Sequence, residues 1–149
     1  MTVTRKLLCV IYGLIALAAL IGTWGNNAAY LELGFTGANL RFWQDTLANP
    51  ASRSITVDLF FLSLVVLVWM VIEARRLHMR GVWLYLLFGM LIAISVTVPA
   101  FLIHRERVLA ARAPGTPAGR LNRLDAIGVA VVSVAIAVYT ILTLLPRDG

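Results

Sequence analysis

Residues 55–107 read ITVDLFFLSLVVLVWMVI (55–72), EARRLHMRG (73–81), VWLYLLFGMLIAISVTVPAFLI (82–103) and HRER (104–107). Two apolar runs flank a short cationic turn, and a charged segment closes the second run. A hydrocarbon layer of ~30 Å is crossed by a helix of ~20 residues, so each run is long enough to span it. The connection 73–81 is too short for anything but an antiparallel return. The stretch predicts a membrane hairpin, and the rest of the chain is read outward from it.

Two further runs have the same character. Leu7 to Trp24 follows a short basic start with Arg5 and Lys6, and Asp125 to Leu145 lies near the other end. The first run is retained as a helix, because GTWGNNAAY after it offers no clean cleavage signature of a secretory leader. The expected fold class is therefore all-α: an integral membrane bundle of four transmembrane helices. A three-helix core fills residues 1–107, with spans at about 7–24, 55–72 and 82–103. A basic Pro/Gly linker follows at 108–123, then an additional C-terminal transmembrane helix at 124–149.

Composition agrees. The 149 residues are 60% hydrophobic and 13% charged, with mean hydropathy +0.88, whereas a soluble domain carries about 25% charged residues. The net charge is +6, and all basic residues but Lys6 are Arg. They flank the apolar runs, which suits contact with membrane lipids and excludes a nucleic-acid face. Arg75, Arg76 and Arg80 are the expected lipid-headgroup contacts. Cys9 is the only cysteine, which rules out an intrachain disulfide and a cysteine-based metal site.

The long connection 26–54 holds two short amphipathic pieces, YLELGF and LRFWQDTL, separated by TGAN. These read either as interfacial helices or as a solvated loop anchored by aromatic residues. Asn49-Pro50 ends the second piece, and Ser52 or Ser54 can cap the helix that follows. Asn122 or Asp125 can cap the last helix. Small residues recur at helical spacing: Gly13, Ala16, Ala19 and Gly22; Gly89 and Ala93, continued by Val96 and Ala100; and Ala126, Ala130, Ser133 and Ala137. Such stripes let helices approach closely.

With four spans, the N-terminus, the second connection and the C-terminus share one side. Arg5, Lys6, Arg75, Arg76, Arg80 and Arg147 then stand there. Arg41, Arg53, Arg105, Arg107, Arg112, Arg120 and Arg123 fall on the other. The positive-inside rule barely separates these sets. The basic start and the dense basic turn favour a cytoplasmic N-terminus in a bacterial plasma membrane.

Candidate chemistry is sparse. Asp58 sits about one turn into a span, where an acid is costly and marks a functional position by default. The competing reading is anchoring at the interface by Arg53, His104 or Arg105. Asp58 and His104 are the candidate catalytic pair. Pro99 removes a backbone hydrogen bond in its span, and with Ser95 and Arg105 it can line a pocket. Glu73 is roughly 22 Å from Asp58 along a helix axis and pairs with Arg76 one turn on. No metal site and no cofactor are expected.

NPASRSITVDLFFL (49–62), EARRLHMRGVWLYLL (73–87) and VPAFLIHRER (98–107) resemble a bacterial family of small integral membrane proteins, domain-of-unknown-function family 2834. The likeness covers about residues 7–107. It rests on Asp58, Glu73, Arg75, Arg76, Arg80, Trp83, Tyr85, Pro99, Phe101, Leu102, Arg105 and Glu106. The resemblance implies a membrane protein and brings no activity. More distantly, the pattern is similar to membrane proteins of carotenoid and terpenoid metabolism. Two functions are carried forward. One is an accessory or interaction subunit, whose partner is another membrane protein or a second copy. The alternative is an isoprenoid- or lipid-binding enzyme of cyclase or isomerase type, with Asp58 as general acid.

Overall fold

Thr2 opens the first helix by accepting a hydrogen bond from the Arg5 amide, and α1 runs Val3–Asn27. A 3₁₀ helix follows at Ala28–Leu33, and Gly34, at φ 67°, turns the chain into α2 (Gly34–Thr46). Thus TGAN lies inside a helix and does not separate two pieces; Gly34 does. The side chain of Asn49 accepts from the Ser52 amide at 2.9 Å and caps α3 (Pro50–Arg76). Asn49 fills the place expected of Ser52 or Ser54. Pro50 takes the first turn, where its missing N–H costs nothing. Then come α4 (Val82–Leu91), α5 (Ile94–Arg112) and α6 (Arg123–Leu144). Asn122 and Asp125 form a reciprocal capping box on α6. This architecture is a computed structural model that describes residues 1–116, 118 and 122–145. Arg120 and Arg147, used in the topology reading, lie outside the described residues.

All the regular elements described are helical. Three helical stretches, Val3–Thr46, Pro50–Arg76 and Arg123–Leu144, are long and apolar enough to cross a membrane. The span expected at 82–103 is not a fourth. Its helix breaks at Ile92–Ala93, where Ala93 is extended (φ −173°, ψ 132°), and the chain reverses. Tyr85 and Phe101 stack edge to face with centroids 5.6 Å apart. A Cβ placed on Gly89 would come within 2.9 Å of the Thr97 hydroxyl. In one straight helix residues 85 and 101 would be roughly 24 Å apart. So α4 and α5 are the arms of a hairpin. With ten residues, α4 reaches only about 15 Å before turning. Gly89, expected to admit a separate span, instead admits the other arm of its own hairpin.

This reversal reorders the ends of the bundle. α5 lies along α1, and its charged end meets both the start of α1 and the end of α3. The second and third connections therefore share an end. At the opposite end, Trp43 of α2 packs on Phe60 of α3 at 5.8 Å. α6 touches α1 through Thr140 on Gly22 and Leu144 on Gly25. The two pairs advance together along both helices, so α6 runs in the same sense as α1. Of the small residues of α1, Gly13, Ala16, Ala19 and Gly22 are half-buried, and Gly22 meets α6 directly.

The core lies at the end where α3, the hairpin and α1 converge. Met70, Ala74, Leu77, Met79, Val82 and Phe101 form it. Phe101 is fully buried and touches Trp69 (5.8 Å) as well as Tyr85. Three helical stretches long enough to cross a membrane, and a hairpin that returns to the end it left, put Thr2 and Leu145 at opposite ends of the bundle. Reporter domains fused ahead of Thr2 and after Leu145 should therefore report opposite sides of the membrane. Two reporters on one side would restore a four-crossing chain.

Candidate functional site

The reversal of the hairpin creates a charged cluster. Glu73, at the last turn of α3, is 8% exposed at its side chain. Its Oε1 accepts from Arg105 Nε at 2.6 Å. Arg76, one turn on, donates to both oxygens at 2.7 Å each. Arg105 also donates to Glu106 Oε1 at 2.9 Å. The other oxygen of Glu106 is held by Arg5 of α1, and both side chains are buried. The result is a ladder, Arg76–Glu73–Arg105–Glu106–Arg5, through three helices. Arg5 Nε also donates to the Thr116 carbonyl at 3.0 Å, and Arg112 donates to the Leu77 carbonyl at 2.6 Å. Beneath the ladder, Tyr85 Oη lies 3.1 Å from His104 Nδ1.

Each acid of the ladder faces at least two guanidiniums, and no buried side-chain polar atom lacks a partner among the described residues. Guanidinium–carboxylate pairs are strong, directional contacts. Such an arrangement holds helices together, with each carboxylate committed to partners in the protein.

The residues expected to form a catalytic pocket are not assembled. Asp58 is exposed and makes no hydrogen bond or ion pair among the described residues. It lies at the α2 end of α3, whereas His104, Arg105 and Glu106 lie at the ladder end. The expectations that His104 or Arg105 anchors Asp58, and that Arg105 stands on the side away from Arg75 and Arg76, fail for the same reason. Both followed from a third crossing that the hairpin replaces. Ser95 is exposed near the hairpin tip, while Pro99 is buried in α5. Near the Asp58 end, an open cavity of about 300 Å³ is lined by Tyr30, Asp45, Ser52 and Thr56 among others, not by Asp58. Its acid is occupied: Asp45 accepts from Tyr30 Oη at 2.9 Å and pairs with Arg41.

The expected pairing of Glu73 with Arg76 is present. Its link to Arg105 was missed, and so was Arg5, which looked like an ordinary basic flank. The signal available was charge complementarity: HRER carries an acid and two arginines, able to meet both Glu73 and Arg5. Of the expected headgroup arginines, Arg75 and Arg80 are exposed, and Arg76 is committed to Glu73. Ala126, Ala130, Ser133 and Ala137 are all exposed.

The ladder's balance can be measured. Glu106→Gln strands the buried Arg5 and should cost about 3–5 kcal/mol, the usual penalty for removing one partner of a buried pair. Arg76→Gln removes an exposed guanidinium and leaves Glu73 on Arg105, so its effect should be much smaller. Thermal unfolding in mild detergent distinguishes the two. A Glu106→Gln midpoint equal to wild type would mean that the ladder does not hold the helices.

Residues 11–107 match the family described as "Protein of unknown function DUF2834". No curated protein and no solved structure matches the chain. The match takes in most of the ladder, the hairpin and the core, leaving Arg5 and α6 on either side. With about two thirds of its length covered, the chain belongs to the DUF2834 family.

Proposed function

We propose that this protein is a non-catalytic component of a membrane assembly, and that α6 is the helix through which it associates. One observation carries the reading. Ala126, Ala130, Ser133 and Ala137 continue the face of α6 that rests on α1 at Thr140 and Leu144, yet they stay exposed. The two helices part above that contact. Leu, Ile and Val suit a face that meets only lipid, whereas a stripe of Ala and Ser suits the close approach of another helix. The occupant is a transmembrane helix, from another protein or from a second copy. The enzyme reading draws no comparable support, because Asp58, Ser95 and His104 stand apart.

Orientation follows from the reordered ends. Arg5, Lys6, Arg75, Arg76, Arg80, Arg105, Arg107, Arg112 and Arg123 gather at the ladder end, against Arg41 and Arg53 at the other, among the described residues. By the positive-inside rule this asymmetry supports a cytoplasmic ladder end. The N-terminus is then cytoplasmic, in the plasma membrane of a bacterium.

Purification in mild detergent, with mass determination of the intact particle, tests the association. A stoichiometric partner or second copy should be retained by wild type and by Asp58→Asn, and lost from Ala130→Leu, whose added bulk fills the stripe. Monomers in all three preparations would overturn the proposal.

A further inference from the structure

The turn between α3 and α4 forms the floor of a second cavity, of about 450 Å³, at the ladder end. Its shape is set by backbone geometry. The Leu77 amide bonds to the Glu73 carbonyl at 2.9 Å and the Met79 amide to the Ala74 carbonyl at 2.8 Å, which closes α3. His78 (φ 46°) and Gly81 (φ 77°) then take left-handed conformations and fold the chain back. Burial of Leu77 and Met79 in the core pins the turn from below. Arg75, His78, Arg80 and Trp83 line what remains.

Charge selects the ligand. Arg76 and Arg105 neighbour this turn but are consumed by Glu73. Arg75 and Arg80 make no hydrogen bond or ion pair among the described residues, and no carboxylate lines the cavity. Two uncommitted guanidiniums at one cavity suit an anion with several oxygens, since phosphate accepts paired N–H donors. Below the cavity, Trp83, Leu84 and Leu87 of α4 are 64%, 59% and 52% exposed. An apolar track directly under a cationic rim fits a molecule with a phosphate at one end and hydrocarbon at the other.

We propose that the α3–α4 turn is a binding site for an anionic phospholipid. Arg75 and Arg80 hold the phosphate-bearing headgroup, and the acyl chains lie along α4. The site is separate from the α6 face and does not depend on the association proposed above. It also divides the three arginines of the turn. Arg75 and Arg80 bind lipid, and Arg76 binds the protein.

The test uses the full chain in phosphatidylcholine nanodiscs, with brominated phosphatidylglycerol added and quenching of tryptophan fluorescence as readout. The double variant Arg75→Gln/Arg80→Gln is compared with Lys6→Gln/Arg107→Gln. The second pair removes the same charge from exposed residues at the same end. Diffuse surface attraction is worth about 1 kcal/mol per basic residue, or roughly thirtyfold in affinity for either pair. A built site requires the Arg75/Arg80 variant to lose at least about tenfold more than that, with an unchanged unfolding midpoint. Equal losses from the two variants would reduce the effect to diffuse charge and overturn the proposal. Inorganic phosphate supplied at the same concentration as the lipid should not relieve quenching. Relief would make the turn a phosphate site without lipid preference, which also overturns it.

Discussion

The pairing of Glu73 with Arg105 is the constraint on which the rest of this structure depends. Burying a carboxylate at the end of a membrane helix is costly unless it is matched. Glu73 is matched by a residue 32 positions away, so α3 and α5 must end together. That condition fixes the direction of α5 and forces the intervening chain to come back to the side it left. It also brings Glu106 inward, where it needs a second cation, and α1 supplies Arg5. Each pair creates the need that the next one meets. The ladder thus ties three helices at one level, while the same helices are exposed over much of their remaining length.

The hairpin has to satisfy its own backbone. Where a helix breaks inside an apolar layer, freed N–H and C=O groups need partners within the protein. At this break the Ile92 amide reaches the Phe88 carbonyl at 2.8 Å, and the Val96 and Thr97 amides both reach the Ala93 carbonyl at 3.2 Å. The Thr97 hydroxyl adds bonds to the Ala93 and Ile94 carbonyls. Opposite it stands Gly89, whose missing side chain lets the two arms meet. Pro99 lies inside α5, beyond the reversal, so it does not make the turn.

Much of this was legible in the sequence. The apolar runs gave α1, α3 and α6 as long apolar helices. Asn49-Pro50 marked the end of the piece before α3, although the cap proved to be Asn49 and not Ser52 or Ser54, and Asn122 with Asp125 marked the start of α6. Of the small-residue stripe on α1, Gly22 does lie against another helix, at Thr140. What failed was the path of residues 82–103. A 22-residue apolar run has the length of one crossing, and it has the same length and hydropathy when ten residues go in and ten come back. No glycine or proline sits at Ile92–Ala93 to mark the reversal. Only long-range pairing decides between the two paths, and hydropathy does not register pairing. The grouping of His104 and Arg105 with Asp58 and the even split of basic residues both descend from that one ambiguity.

The family match covers residues 11–107, yet the ladder within it is incomplete. Glu106 is neutralised on one side by Arg105 and on the other by Arg5, which precedes the match. Arg5 is itself steadied by the Thr116 carbonyl, which follows it. At its far end α1 is held again from outside the match, by Thr140 and Leu144 of α6 on Gly22 and Gly25. So α1 is clamped at both ends by residues beyond the matched stretch, and α3 and the hairpin are clamped to α1 through Glu106. α6 therefore rests on the same element that carries Arg5 of the ladder, at the other end of that helix.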